Sequence, residues 1–321
     1  MKVVSRDEIR AVFDPEASLA AVAQAMRRFA RGEAQQAAVG HLGFTDPPGD
    51  THIKSAWLRG DDAFVVKLAS TFYDNPRQGL PPGSGLMLVA SARTGAPLAL
   101  LQDDGELTDL RTAMAGAVAA QVIADPAWRA PTLGVVGAGV QAELQAAWIA
   151  RQIGAGRILV WARRTDAADE LCHRLQVQGF AADRAPDLTE LGHRADLIVT
   201  TTPAREPVLL RDMLRPGYRI VAVGADAPGK RELGPGVVAG ADLVLADSRS
   251  QALDHGECAW ARQEGLAAEQ VIEIGALLPD GPAPSRGASA VADLTGLGVQ
   301  DVAIALGVWA RLSSYSQQDP S

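Results

Sequence analysis

The stretch PTLGVVGAGVQAELQAAW, residues 131–148, decides the fold. It opens on a proline, runs through small and β-branched residues, turns at two glycines and continues as a longer amphipathic segment. The run LGVV has no polar alternation, which marks a strand covered on both faces. Within the stretch, Gly137-Ala138-Gly139-Val140-Gln141-Ala142 fits G-x-G-x-x-A, with alanine in the third glycine position. The first glycine permits the turn, and the second leaves room for a pyrophosphate against the backbone. The helix that follows supplies free N–H groups and the positive end of its dipole. Gly137, Gly139, Val140 and Gln141 are therefore candidate dinucleotide-binding residues.

Short apolar runs of the same kind recur downstream as ILVWA (158–162), DLIVTT (196–201), RIVAVG (219–224) and DLVLAD (242–247). The segments between them are long enough for a helix and a turn, as parallel strands require. The expectation is an α/β fold built on a Rossmann-like, doubly wound parallel sheet. The chain before residue 115 reads differently. SLAAVAQAMRRFARGE (18–33) has helical spacing, and HIKSAWL (52–58), AFVVKLAS (63–70), GLMLVAS (85–91) and PLALLQ (97–102) read as mostly antiparallel strands. LTDLRTAMAGAVAAQVIA (107–124) is an Ala-rich helix leading into the nucleotide domain, and GVQDVAIALGVWARLSS (298–314) is helical again. The last helix is expected to pack back on the first domain, making a discontinuous α+β domain of residues 1–118 and 299–321 around a nucleotide domain of residues 119–298.

The end of the second strand of the nucleotide domain bears on the cofactor. NAD sites usually place Asp or Glu there for the ribose hydroxyls. This strand continues as WARRTDAADE, with Arg163 and Arg164 in the place of the acid. Two guanidiniums suit a 2′-phosphate, so NADP(H) is preferred, with NAD(H) the alternative if both arginines are solvated.

Composition narrows the class. The 321-residue chain is 47% hydrophobic and 21% charged, with a net charge of −8 spread along its length. That balance argues against nucleic acid, which selects basic patches. No apolar run reaches the roughly 18–20 residues that span a bilayer. The start, MKVVSRDEIRAVFD, carries charges where a signal peptide keeps an apolar stretch, so a cytoplasmic protein is expected. Cys172 and Cys258 are too few for a disulfide framework or a four-ligand zinc site.

Outside the glycine loop, three charged residues stand in apolar settings. Lys67 lies in the middle of AFVVKLAS, where a lysine by default faces solvent and a buried one must be partnered or functional. Arg111 opens an otherwise small, apolar helix, with Asp109 or Asp104 as its simplest partner. Asp226 follows the RIVAVG strand, at the carboxyl edge where such sheets bind ligands. His41 and His52 have no ligand-spaced partners, and His173, His193 and His255 are scattered, so no metal site is expected. Cys258 reads as a small buried residue.

Taken together, VVKLAS-x-FYDNP-x-x-GLP (65–81), TGAPLALLQDDGELTDLRTA (94–113), GVVGAGVQA (134–142), VGADAPGKREL (223–233) and DLTGLGVQDVAIA (293–305) resemble the ornithine cyclodeaminase/mu-crystallin family over nearly the whole chain. The resemblance implies a dimer-forming substrate domain joined to an NAD(P) domain, with the active site between them and no membrane or nucleic-acid partner. It implies that Lys67 and Arg111 are the basic pair at a substrate carboxylate and Asp226 the catalytic acid/base. It places Ser84, Arg111, Thr202 and Gly224 along the cofactor, with Leu294 and Thr295 in a late loop over the nicotinamide. The chain departs from the family at one point, having no arginine between Arg31 and Arg59; Lys54 is the nearest cation that takes that role.

Members of this family deaminate or reductively aminate small amino acids through imines. The arginine pair tips the expectation toward NADPH-dependent reduction of a cyclic α-imino acid such as Δ1-pyrroline-2-carboxylate or Δ1-piperideine-2-carboxylate, because cells keep NADPH reduced. Proton transfer falls to Asp226 or to Lys67, with Asp226 preferred. Ornithine cyclodeaminase-type ammonia elimination and open-chain amino-acid dehydrogenation are the alternatives, followed by a mu-crystallin-like ligand-binding role.

Overall fold

The chain is described by a computed structural model covering residues 1–81, 83–278 and 285–318. It divides into two compact units, Met1–Arg111 with Leu297–Ser321, and Thr112–Gly296.

The first unit starts with strand β1 (Lys2–Ser5), helix α1 (Arg6–Val12) and helix α2 (Pro15–Ala30). Ser5 and Asp14 cap the two helices by accepting from Glu8 N and Ala17 N, and Pro15 at the first helical position has no N–H to satisfy. Strands β2 (Ala34–Gln36), β3 (Gly40–Thr45), β4 (Pro48–Leu58), β5 (Ala63–Phe72), β6 (Gly83–Ser91) and β7 (Pro97–Gln102) follow. They pair in the order β1-β7-β6-β5-β4-β2, with β3 also on β4. All pairs are antiparallel except β1 with β7. The opening MKVVS is thus an edge strand, which its short apolar run did not announce.

Period-two alternation gives this sheet two different faces. Leu42, Phe44, Ile53 and Leu68 share one face and are exposed. On the other lie Lys54, Ala56, Leu58, Val65, Lys67, Met87 and Val89, all buried. The C-terminal helix (Gly298–Gln318) packs against β4, β5 and α2 within this unit. Gly298 is required there, since a Cβ would stand 2.9 Å from the Cβ of Ala56.

Helix α3 (Glu106–Ile123) contains the division between Arg111 and Thr112. The second unit holds β8 (Thr132–Val136), α4 (Val140–Ile153), β9 (Arg157–Trp161), α5 (Thr165–Val177), β10 (Ala182–Arg184), α6 (Leu188–Arg194), β11 (Leu197–Thr200) and β12 (Arg219–Ala222). After these come β13 (Leu243–Ala246), α7 (Arg249–His255), α8 (Glu257–Gln263), β14 (Val271–Glu273) and β15 (Ala290–Asp293). Every pair in its sheet is parallel, and the order is β10-β9-β8-β11-β12-β15-β13-β14. The α/β, doubly wound, Rossmann-like fold is as the apolar runs predict.

Two details differ from the sequence reading. A helix is not formed in every crossover: β11 reaches β12 through a loop with one 3-10 turn (Arg211–Met213), and residues 223–242 form none. Pro203, Pro207, Pro216, Pro228 and Pro235 interrupt helical hydrogen bonding there. The second difference is β15, which inserts between β12 and β13. Its sequence AVAD is too short and small-sided to stand out as a strand.

Candidate functional site

The glycine loop has the geometry its spacing predicts. Gly137 ends β8 at φ 128°, a conformation L side chains rarely adopt, and a Cβ there would collide with Thr201. Gly139 is the residue before α4, and a Cβ on it would meet nothing within 4 Å. The backbone is bare where the first N–H groups of α4 point out, which fits the diphosphate of a dinucleotide. Ala142 is fully buried, explaining the small third residue of the motif. Val140 is exposed, and Gln141 accepts from Gln145 Nε2 at 3.4 Å. Arg163 is exposed after β9, while Arg164 precedes α5 with its Nε 3.3 Å from Asp166 Oδ1.

The loops after β11 and β12 are fastened by a residue that the sequence reading did not single out. Glu232 is wholly buried and accepts from Thr200 Oγ1 (2.7 Å), Thr202 N (2.5 Å), Thr202 Oγ1 (2.8 Å) and Gly224 N (2.8 Å). Burial pushes its carboxyl pKa up, and those donors oppose the shift. Gly224 has no room for a side chain, because a Cβ would strike Thr202 O and the Glu232 carboxylate. Thr202 and Gly224 are therefore joined through one carboxylate. Leu294 is buried after β15, and Thr295 donates through N and Oγ1 to Asp247 Oδ1 at 3.1 and 3.2 Å. Asp226 is half exposed, with Lys230 Nζ 2.6 Å from its Oδ1, a partner one helical turn on in sequence.

Below these loops lies a second group of buried acids. Glu257 accepts from Glu232 N and Leu233 N, and Asp293 from Cys258 N. Burial raises Glu257 to about 8, reinforced by the neighbouring Asp293, and raises Asp293 to about 7. Cys258 is buried and its thiol pKa is pushed up by burial, so it is an unreactive packing residue.

In the first unit, Lys67 does not face solvent: it is 2% exposed. Its Nζ stands 3.7 Å from Asp301 Oδ2, on the C-terminal helix. Arg111 pairs with neither Asp104 nor Asp109 in the way its neighbourhood in sequence suggests. Its Nε lies 2.8 Å from Asp301 Oδ1, and its Nη1 donates to Gln300 Oε1 at 3.0 Å. Asp301, 1% exposed, is thus flanked by two cations from a strand and a helix. Neither of its oxygens receives an aligned hydrogen bond, so its attraction to the two cations is one of charge. Lys54 faces Lys67 directly across β4 and β5 and is also buried. Like charges in register repel, and the Asp301 carboxylate beside Lys67 opposes that repulsion. Ser84 is exposed on β6 opposite Ser70 of β5.

His41 and His52, without partners by spacing, turn out to be paired. The two-residue connection after β3 sets them opposite each other, with ring centroids 4.9 Å apart. Asp50 lies on the same face, its Oδ1 3.6 Å from His52 Nε2.

Comparison with known proteins agrees with this architecture. The profile of the ornithine cyclodeaminase/mu-crystallin family matches residues 2–316. A protein of Sinorhizobium fredii named as an uncharacterized cyclodeaminase is 39% identical over 86% of this chain and 84% of its own. A Δ1-pyrroline-2-carboxylate reductase of Paracoccus denitrificans is 35% identical over 71% of this chain and 72% of its own. The solved structure of an archaeal alanine dehydrogenase dimer with bound NAD superposes with a TM-score of 0.88 at 32% identity, covering 98% of this chain and 97% of that one. Among the described residues, no helix is long and apolar enough to cross a membrane. From fold, motifs and relatives alike, the chain belongs to the ornithine cyclodeaminase/mu-crystallin family.

Proposed function

We propose that this protein reduces a small cyclic α-imino acid, Δ1-pyrroline-2-carboxylate or Δ1-piperideine-2-carboxylate, to the cyclic amino acid. The observation that carries the reading is the convergence of buried Lys67 and Arg111 on Asp301, with Lys54 in register across the sheet. A buried cluster of cations gathered at one carboxylate is the kind of place where a ligand carboxylate is accepted. Arg111 offers a planar fork for that carboxylate, and Lys67 and Lys54 add charge.

The cofactor is held at Gly137, Gly139, Val140 and Gln141, with Thr202, Gly224, Leu294 and Thr295 as the nicotinamide-side loops. When bound, the nicotinamide supplies the hydride. Arg163 and Arg164 take the 2′-phosphate, favouring NADPH over NADH; the Arg164–Asp166 pair is exposed and opens readily. Asp226, whose Oδ1 lies 2.6 Å from Lys230 Nζ, delivers the proton to the imine nitrogen, while Lys67 serves binding. The protein acts as a homodimer in the cytoplasm, its exposed Leu42, Phe44, Ile53 and Leu68 supplying the apolar face for the second copy.

The test is oxidation of NADPH and of NADH by purified protein given Δ1-pyrroline-2-carboxylate, with ammonia release from ornithine measured in parallel. Rapid oxidation of NADPH, slower oxidation of NADH and no ammonia support the reading. Ammonia release with catalytic NAD, in line with the cyclodeaminase relative, would replace it. Arg163→Ser/Arg164→Ser is expected to cut the preference for NADPH by roughly tenfold or more, since charge-assisted contacts are worth about 1.5–3 kcal/mol each.

A further inference from the structure

We propose that His41, Asp50 and His52 form a binding site for a divalent transition-metal cation, Zn2+ above all. Among the described residues they are the one group of three His, Cys, Asp or Glu side chains whose ligand atoms converge, all lying within 4.8 Å of one another. The site is built by strand register rather than by spacing in sequence. His41 on β3 faces His52 on β4, and Asp50 precedes His52 by two residues, so all three project from one face.

Three atoms no farther apart than that leave a cation at their centre at most about 2.8 Å from each. Zinc bonds to nitrogen and carboxylate oxygen are about 2.0–2.2 Å, so small rotations of exposed or half-buried side chains close the shell. The carboxylate is already oriented, because Tyr73 donates its hydroxyl to Asp50 Oδ2 at 2.7 Å. An outer partner of that kind is how ligating carboxylates are commonly fixed. Two imidazoles with one carboxylate select borderline metals such as zinc over Mg2+ and Ca2+, which take oxygen ligands. Three protein ligands leave a fourth position for water. His52 lies one alternation along the β4 face from Lys54, and the proposal does not depend on the reductase reading.

The experiment is calorimetric titration of ZnCl2 into chelator-treated full-length protein, repeated with CoCl2 while visible absorption is recorded. About one equivalent per protomer with a micromolar or lower Kd is expected. Cobalt should give ligand-field bands without a thiolate charge-transfer band. His41→Gln, an exposed substitution, should weaken zinc at least tenfold and leave the melting temperature in chelator unchanged. His255→Gln removes a histidine that sits 3.0 Å from Asp254 and should change nothing. Absence of binding at millimolar zinc, a thiolate band, or affinity lost through His255 and kept without His41 would each overturn the proposal.

Discussion

The two units bury charge by opposite means. In the first, Lys67 and Arg111 share the Asp301 carboxylate, whose oxygens receive no aligned hydrogen bond. In the second, Glu232, Glu257 and Asp293 take their stabilisation from backbone N–H groups and threonine hydroxyls. Fixed dipoles lock a carboxylate in place, whereas a shared counter-charge leaves cations able to turn toward a new anion. The first arrangement suits a place where a substrate arrives; the second suits loops that must hold a shape.

Substitutions that remove one member from each arrangement sharpen the contrast. Asp301→Asn removes the buried counter-charge that Lys67 and Arg111 share and should cost about 3–5 kcal/mol by denaturant unfolding. A loss under 1 kcal/mol would show that the cations are compensated elsewhere. Glu232→Gln turns an NH2 group toward donors it formerly accepted from, and should cost about 1–3 kcal/mol while raising the KM for the cofactor. An unchanged KM would separate Glu232 from the cofactor loops.

The smallest effect is in pH. Glu257 has an ordinary carboxylate pKa when unfolded and about 8 when folded, so between those values only the folded chain keeps the proton. Its contribution is full below the unfolded pKa and is lost as pH rises through 8. Between pH 7.5 and 8.5, above the value of about 7 for Asp293, Glu257 should contribute a fall in stability of at most about 1.4 kcal/mol per pH unit. Glu257→Gln, which mimics the neutral acid, should flatten that slope; an unaltered slope would place the titration elsewhere.

Reading the sequence reached the parts of this molecule that are local. The glycine loop is contiguous, and its strand and helix announce themselves by period. Lys67, Arg111 and Asp226 stand out through the motifs around them, whereas the residues alone suggest a solvent-facing lysine, which the structure buries. What escaped was non-local. Asp301 sits in the motif DLTGLGVQDVAIA, but nothing in that string shows that a carboxylate 190 residues after Arg111 folds against it. Glu232 sits in VGADAPGKREL with the same silence about Thr200 and Thr202. His41 and His52 became neighbours only once the hairpin connection fixed their register.

The account rests on the basic cluster gripping the carboxylate of an imine as it is reduced. The most direct measurement compares kcat/KM for NADPH oxidation with Δ1-pyrroline-2-carboxylate and with Δ1-pyrroline, which lacks the carboxylate. The account predicts an advantage of about a hundredfold or more for the acid, the equivalent of two charge-assisted contacts. Equal rates for the two imines would contradict it.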